Sequence, residues 1–272
     1  MTQGEGTMTQ EQIDWFNKVQ EEAKLENRLQ KAKRTDLSDI EIDALIKDNN
    51  STVRWKMVKN NFKKFSVDQI DLLLRDTSDV IRNFVAANCE LTNDQVHFAM
   101  NDMSPFVLEG IAQNKELSKR EIDLLIESPH TNVRVAVSGN RNLNNDHLNA
   151  LSNDKSLSVI MAIANDPFLS QKNIDTLIQK CDDALFLKLI KRSDLKKKHI
   201  AFILANTRNF GVVSQLRKNQ SLTKKQKVLA KELEDLLLTS AAINKCNEEG
   251  SVSISTEDNV CITKNEFHDL SL

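Results

Sequence analysis

The sequence predicts an all-α protein, a right-handed α-solenoid of about seven to eight two-helix repeats with capping helices. The first observation behind this prediction is a 26-residue period, whose regular copies open at Phe65, Leu91, Leu117, Leu143, Leu169 and Leu195. A copy two residues longer opens at Leu37, and a partial copy starts at Leu222. The second observation is that 272 residues contain only six glycines and three prolines, which favours helices. A fixed period of this size indicates stacked supersecondary units.

Residues 1–36 are expected to form an N-terminal capping helix with loose first residues. Ile13, Trp15 and Phe16 lie near its start and are expected to cover the first repeat, because the terminal repeats of a solenoid need a lid. The first six residues have neither a positive region nor an apolar core, so no signal peptide is expected. No segment approaches the roughly 18 apolar residues of a membrane span. These features predict a cytoplasmic protein without membrane contact.

Residues 37–221 hold the repeats, and each repeat begins with a helix-start signal. With the opening residue as position 1, positions 2 and 5 form the pairs Ser38–Glu41, Ser66–Gln69, Thr92–Gln95, Ser118–Glu121 and Thr223–Gln226. Such a pair is a capping box, in which each side chain accepts a backbone N–H that the helix leaves unpaired. Helix A is therefore expected over roughly positions 3–11, with its core at positions 6, 9 and 10.

A polar break separates helix A from helix B, which is expected over roughly positions 16–23. Its core pairs, at positions 17 and 21, are Val53/Met57, Ile81/Val85, Val107/Ile111, Val133/Val137, Val159/Ile163 and Leu185/Leu189. Helix B is expected to end at Asn60, Asn88, Asn114 and Asn140. Asn tolerates the left-handed conformation that often closes a helix. Helices this short are stable only through stacking on neighbouring repeats.

Two segments follow the repeats. Residues 222–245 predict a C-terminal capping helix that packs through Leu229, Leu233, Leu236 and Leu237. Residues 246–272 change character, and their pattern fits either a small β-hairpin or an acidic tail. Both interpretations stay open at this point.

The repeats resemble a known group of helical repeats. An Asp-x5-Arg pattern crosses the A–B turn at Asp48/Arg54 and Asp76/Arg82, and Val-Ala-x-Asn then precedes a new Leu-Ser or Leu-Thr. This pattern resembles leucine-rich-repeat-variant units and their HEAT-like relatives over about residues 37–221. The resemblance implies a two-helix superhelical architecture, in which helix A is either α-helical or partly 3-10. It implies nothing specific about activity.

The face of helix B opposite its core falls at positions 19 and 23, at about 100° per residue. HEAT-like superhelices line a concave groove with this face. The predicted protein-binding residues are Trp55, Asn83, Glu109, Val135, Met161 and Leu187. The apolar middle of this set is large enough to hold a protein partner if it is exposed. The alternative is that neighbouring B helices bury it.

The formal net charge of −2 hides a strong segregation. Residues 186–231 carry thirteen Lys or Arg and one acid, whereas residues 232–272 carry nine acids and two lysines. The predicted polyanion-binding residues are Lys191, Arg192, Lys196, Lys197, Lys198, Arg217, Lys218, Lys224 and Lys225. Such asymmetry indicates a polyanionic partner such as nucleic acid. The alternatives are solvated charge and a docking surface for the acidic tail.

An enzyme has little support in the sequence. Asp43, Asp71, Asp123 and Asp175 share position 7, but adjacent repeats lie roughly 8–10 Å apart, so a solvated stripe is expected. None of the five histidines lies near a nucleophile with a matching third member, and no phosphate-binding glycine loop is present. A HEAT-like DNA glycosylase is the most distant alternative, because the chain contains no Tyr. Four cysteines without metal-ligand spacing predict reduced thiols, and no metal or small-molecule cofactor is expected. A non-enzymatic scaffold for a protein partner is the leading functional prediction.

Overall fold

The structure, a computed structural model, describes residues 8–218 and 222–248. Within these ranges it is all-helical, with sixteen α-helices, one 3-10 turn and no strand. The all-α prediction is therefore confirmed. The chain divides into two compact units, Met1–Asn142 and Leu143–Leu272, and the boundary falls where the fifth repeat opens. The segment 249–272, for which a hairpin or tail is expected, lies outside the described residues.

The first unit consists of a long helix followed by four repeats. Its helices are α1 (Gln10–Ala32), α2 (Asp39–Ile46), α3 (Ser51–Asn61), α4 (Val67–Leu73), α5 (Asp79–Asn88), α6 (Asn93–Met100), α7 (Pro105–Ala112), α8 (Lys119–Ile126) and α9 (Thr131–Val137). The B helices α3, α5, α7 and α9 pack on one another in chain order. The longer first repeat is accommodated by the 3-10 turn Phe62–Lys64, which follows α3.

The second unit repeats the same alternation and closes with a long helix. Its helices are α10 (Asn145–Ser152), α11 (Leu157–Ile163), α12 (Gln171–Ile178), α13 (Asp183–Leu189), α14 (Lys197–Asn206), α15 (Phe210–Arg217) and α16 (Lys224–Glu248). The A helices α10, α12 and α14 pack in order, α13 packs on α15, and α15 packs on α16. In both units the described A helices are α-helical throughout, which decides between the two conformations that the resemblance allows.

The predicted core of helix B is confirmed. All six pairs at positions 17 and 21 are fully buried. Positions 18 and 22 contribute as well, as at Ile160 and Ala164. Helix B therefore buries about half of its circumference, and the apolar stripe is wider than the two positions read from the sequence.

All five predicted capping boxes are present. At Thr92 the hydroxyl oxygen accepts the N–H of Gln95 at 3.3 Å, and the Gln95 side chain accepts the N–H of Thr92 at 3.0 Å. The structure adds boxes at Thr9–Gln12, Asn144–His147 and Ser170–Asn173. The box at Asn144 was not predicted, because the sequence pattern has only Ser or Thr as its first member, although Asn caps a helix as well as Ser does.

The position 5 side chain also binds the preceding repeat. In the first unit, Nε2 of Gln69 donates to Oδ1 of Asp43 at 2.8 Å, and Nε2 of Gln95 donates to Oδ1 of Asp71 at 2.8 Å. Both glutamines are buried. One amide thus caps its own helix with its oxygen and staples the previous A helix with its nitrogen. Asp43 and Asp71 are exposed, as expected of a solvated stripe, and each is in addition the acceptor in this staple.

Arginines at position 18 form a second set of contacts between repeats. Nε and Nη2 of Arg54 both bind the carboxylate of Asp76 in the next repeat at 2.7 Å, while Nη1 donates to the backbone carbonyl of Asp48. Arg82 makes the same contacts with Asp102 and the carbonyl of Asp76. The Asp-x5-Arg pattern therefore marks bidentate ion pairs between repeats, a geometry for which Arg is suited.

The helix B asparagines do not act as expected. The one described residue other than Gly with a positive φ is Cys181, at 52°, so Asn88, Asn114 and Asn140 are not left-handed. Instead, the buried Nδ2 of Asn114 donates to the carbonyls of Ala86 and Cys89, one repeat earlier. In the next repeat, Nδ2 of Asn140 likewise donates to the carbonyls of Ala112 and Asn114 of the repeat before it. These asparagines join repeats by satisfying helix-end carbonyls that would otherwise lack a donor.

The terminal helices differ from the expected lids. The second half of α1 packs against the first repeat, and Nε of Arg28 pairs with Asp48 at 2.8 Å. Ile13, Trp15 and Phe16 instead remain exposed, so they do not cover the first repeat. In α16, Leu233 is buried as expected, whereas Leu236 is 42% exposed. Helix α16 also runs to Glu248, beyond the predicted end at residue 245.

We expect the Thr92 cap to contribute measurably to stability. Thr92→Ala removes the acceptor of the Gln95 N–H and should lower the free energy of unfolding by about 1 kcal/mol. Asn93→Ala, one residue further on the exposed start of α6, is the matched control and should change it by less than about 0.5 kcal/mol. Denaturant unfolding followed by circular dichroism measures both values. Equal losses would contradict the assignment of Thr92 as the cap.

The staple predicts that Gln95 and Asp71 are energetically coupled. Gln95→Glu retains an acceptor for the Thr92 N–H but places a second carboxylate against that of Asp71, at a position where the side chain is buried. The free energy of unfolding should fall by about 2 kcal/mol or more at neutral pH. Adding Asp71→Asn supplies a donor again and should recover most of the loss. A double-mutant cycle with no coupling between the two positions would contradict the staple.

Candidate functional site

The predicted partner-binding residues all occupy position 19 of a B helix. Trp55, Asn83, Glu109 and Val135 occupy successive B helices of the first unit, and Met161 and Leu187 occupy α11 and α13 of the second. All six are half-buried, between the fully buried core positions and the solvent. The helix phase behind the prediction is therefore observed. The apolar members Val135, Met161 and Leu187 are thus less exposed than the sequence suggested.

Asn83 is used for packing as well as lining this face. Its Nδ2 donates to the carbonyl of Phe106 on the next B helix. A Cβ atom built on Gly110 would lie 2.4 Å from the carbonyl oxygen of Asn83, so only glycine permits this approach of α5 and α7. The Asn83 amide is consequently occupied within the unit.

An aromatic cluster lies at the N-terminal part of the face. Trp55 meets Phe84 edge to face with 5.1 Å between ring centroids, and Phe62 meets Phe84 in the same way at 5.4 Å. All three rings are half-buried. The period did not indicate Phe84, which lies at position 20, or Phe62, which lies in the longer first repeat. Half-exposed aromatic clusters of this kind are common anchors at protein interfaces.

A second apolar stripe runs along the A helices of the first unit. Leu72, Phe98 and Leu124 all occupy position 8 and are 47%, 37% and 54% exposed. The Arg75 guanidinium lies 4.1 Å from the Phe98 ring centroid. A cleft of about 490 Å³ beside Leu124 is also lined by His97 and other residues of α6 and α8. Comparing the repeats at position 8 would have revealed this stripe.

The nine predicted polyanion-binding residues divide into two groups. Three are engaged: Arg192 binds Asp194 at 2.8 Å and the carbonyls of Ala164 and Asp166, Lys198 binds Asp175 at 2.7 Å, and Arg217 pairs with Glu234. The Arg192 side chain is only 7% exposed, so it is a structural residue. The other six are exposed, and no carboxylate in the described ranges pairs with them: Lys191, Lys196, Lys197, Lys218, Lys224 and Lys225.

One His–Asp pair has the geometry of a general base and its orienting carboxylate, but it serves the staple. Nε2 of His199 lies 2.8 Å from Oδ1 of Asp175, and Nδ1 accepts the backbone N–H of Lys196 at 3.1 Å. His199 is 2% exposed, so both ring nitrogens are occupied inside the protein. His199 thus takes the place that Gln69 and Gln95 have in the first unit.

Ionisation follows from this geometry. Burial lowers the pKa of His199, which favours the neutral ring with its proton on Nε2. Burial opposes ionisation of Asp175, yet hydrogen bonds from Lys198 and His199 hold its pKa below the ordinary range. Protonation of Nδ1 would also break the bond to the Lys196 N–H. The pair is therefore a neutral imidazole that donates to a carboxylate.

The remaining features of the described chain bear on cofactors and membranes. Among the described residues, no three His, Cys, Asp or Glu side chains are grouped to hold a metal ion. None of the described helices is both long and apolar enough to cross a bilayer. Cys89 and Cys181 are free, and burial raises the pKa of the Cys89 thiol to about 12.

Comparison with known proteins adds no relative. The chain matches no protein-family model, no curated protein and no solved structure.

We expect His199 to make stability depend on pH. Its pKa is lower in the folded state than the ordinary 6.5, so the unfolded chain binds a proton first as the pH falls. The stabilisation is full above this value and is lost as the pH falls below it. His199→Gln retains both hydrogen bonds, as Gln69 does, but cannot be protonated. Urea unfolding between about pH 7.5 and about pH 5.5 should show a shallower pH dependence for this variant than for the wild type. Parallel curves would contradict the assignment.

Proposed function

We propose that the protein is a non-enzymatic repeat scaffold that binds a protein partner along the face formed by position 19 of its B helices. In this proposal the repeats continue as one right-handed α-solenoid of the leucine-rich-repeat-variant or HEAT-like type. The observation that carries the proposal is the register of six half-buried side chains at one repeat position. No cofactor is needed for such binding.

The chemistry of the face supports a protein rather than a small ligand. Its first part offers the cluster Trp55, Phe62 and Phe84, with rings whose edges and faces are already packed. Its later part offers the aliphatic side chains Met161 and Leu187. Aromatic and methionine side chains are enriched at interface centres, because they bury a large apolar area at low entropic cost. An extended partner segment would match a row of side chains of this kind.

The polar groups support the non-enzymatic part of the proposal. Asp43, Asp71 and Asp175 are acceptors for the next repeat, and His199 has both nitrogens bonded. A general base needs a nitrogen or oxygen that can reach a substrate proton. These groups are already engaged between repeats, which favours a structural role for them. The free thiols Cys89 and Cys181 also fit the proposed cytoplasmic location.

A substitution in the proposed face should separate binding from folding. Met161→Glu places a charge in an interface centre and should lower affinity for a partner at least about 100-fold. The Met161 side chain is half-buried and not part of the fully buried core, so the unfolding midpoint of the variant should change only slightly. Asn145→Glu makes the same change of charge at the exposed start of α10, the A helix of the same repeat, and is the matched control. It should retain full binding.

The experiment is capture from the native source with three baits: wild type, Met161→Glu and Asn145→Glu, each with and without nuclease. A protein retained by wild type and Asn145→Glu but lost by Met161→Glu, whatever the nuclease treatment, supports the proposal. Its affinity is then measured directly with purified components. Equal capture by all three baits would contradict binding at this face. A large loss of stability in Met161→Glu would show that Met161 belongs to the core.

A further inference from the structure

A cluster of exposed lysines lies along one edge of the second unit. We propose that this edge binds nucleic acid through its phosphates. Its residues come from the ends of α13 and α15 and from the starts of α14 and α16: Lys191, Lys196, Lys197, Lys218, Lys224 and Lys225. We call these six residues the lysine edge. This inference does not depend on the proposed partner-binding face.

The fold itself brings these lysines together. Nε2 of Gln226 donates to the backbone carbonyl of Lys197 at 3.0 Å, which fixes the start of α16 against the start of α14. Helix α13 packs on α15, so Lys191 and Lys218, at equivalent places at the ends of these helices, lie on neighbouring helices. Packed helices are roughly 8–10 Å apart, so the lysine edge spans on the order of 20 Å including its side chains. Duplex DNA presents about one charge every 1.7 Å, so an edge of this length meets several phosphates.

Neighbouring carboxylates do not neutralise the lysine edge. Asp194 is paired with Arg192, and Asp175 is paired with Lys198 and His199. Glu234 is paired with Arg217. Each nearby acid is thus matched by a cation that is not among the six lysines. The positive charge of the lysine edge therefore remains unbalanced over the described residues.

The position of these lysines is unfavourable for the helices that carry them. Lys196 precedes α14, Lys197 begins it, and Lys224 and Lys225 begin α16. Positive charge at a helix start opposes the helix dipole. In the first unit the corresponding first turns carry acids, such as Asp68 and Asp94. An anion bound at the lysine edge would remove this local cost.

Nucleic acid suits the lysine edge better than a lipid surface. Binding at a membrane interface uses apolar side chains that insert among the lipids. Leu195 and Leu222, which flank the lysines in sequence, are each 6% exposed and belong to the core. Phe210 is exposed, but it begins α15, whereas Lys218 follows the end of that helix. Contacts should therefore be to phosphates without base stacking, which gives weak sequence preference.

The test is fluorescence anisotropy with the full chain and labelled oligonucleotides, one single-stranded and one duplex, at about 50 mM and about 200 mM salt. If each lysine meets one phosphate, log affinity should fall against log salt with a slope of about −5 for duplex and about −4 for single strands. On duplex this corresponds to about a thousandfold loss of affinity over the fourfold change in salt. The form with the tighter binding at low salt identifies the preferred nucleic acid.

The matched variants are Lys196→Gln with Lys197→Gln, and Lys33→Gln with Lys47→Gln in the first unit. The first pair should reduce the salt slope by about 2 and weaken low-salt binding, and it should not destabilise α14, because it removes unfavourable charge. The second pair also removes two exposed lysines and should change neither quantity. Thermal unfolding of each variant confirms that it is folded.

Three outcomes would overturn the proposal. The first is no binding by the wild type at low salt, and the second is an equal loss of affinity in both variants. The third is displacement of the oligonucleotide by anionic lipid vesicles at equal phosphate concentration, which would make the lysine edge a lipid-binding surface. Tight, steeply salt-dependent binding that only the Lys196/Lys197 variant weakens would support it.

Discussion

The structure depends most on one side chain per repeat, the residue at position 5. Its acceptor atom closes the capping box of its own A helix, and where it is Gln69, Gln95 or His199 its donor atom also binds the carboxylate at position 7 of the preceding repeat. Gln95 does this with Oε1 on the Thr92 N–H and Nε2 on Asp71, and His199 does it with its two ring nitrogens. Helices of seven to ten residues are marginal alone, so a group that starts a helix only where a neighbour is present links helix formation to stacking.

Two further contacts repeat this coupling at helix B. The fork of Arg54 joins the start of its own helix to Asp76 of the next repeat, and the amide of Asn114 joins the end of its helix to the preceding repeat. The start of A, the start of B and the end of B are thus each connected to a neighbour through buried or half-buried polar groups. Satisfying these groups requires one alignment of neighbouring repeats, because an unbonded buried donor costs about 1–3 kcal/mol. Apolar packing alone would tolerate sliding of one repeat along the next.

The sequence predicts the local part of this arrangement well and the coupling poorly. Capping boxes and core pairs depend on residues within one helix, so spacing alone indicates them, and Ser66–Gln69 and Ile81/Val85 are as expected. The staple joins position 7 of one repeat to position 5 of the next, and in the sequence it appears only as a correlation between the residue types at these two positions. Position 5 is Gln69 where position 7 of the preceding repeat is Asp43, whereas it is Glu121 where that residue is His97. The donor amide thus appears where the facing residue is an acid. Reading this requires knowing that the two positions face each other, which period and composition do not supply. The exposure of Ile13 and the burial of Arg192 were not predicted, because both depend on neighbours distant in sequence.

The same contacts explain why the sequence of this chain indicates its fold but not its partner. The contacts that hold repeats together come mainly from positions 5, 7, 12, 18 and 24, whereas the proposed binding positions take little part in them. Met161 and Lys197 use their backbone carbonyls, not their side chains, in the observed bonds to Lys188 and Gln226. Substitution of such side chains leaves the connecting hydrogen bonds in place, so the surface can change without loss of the fold. Repetition therefore identifies the residues that build the scaffold, and candidate binding residues must be sought where the repeats differ, as at Trp55 with its aromatic neighbours and along the lysine edge.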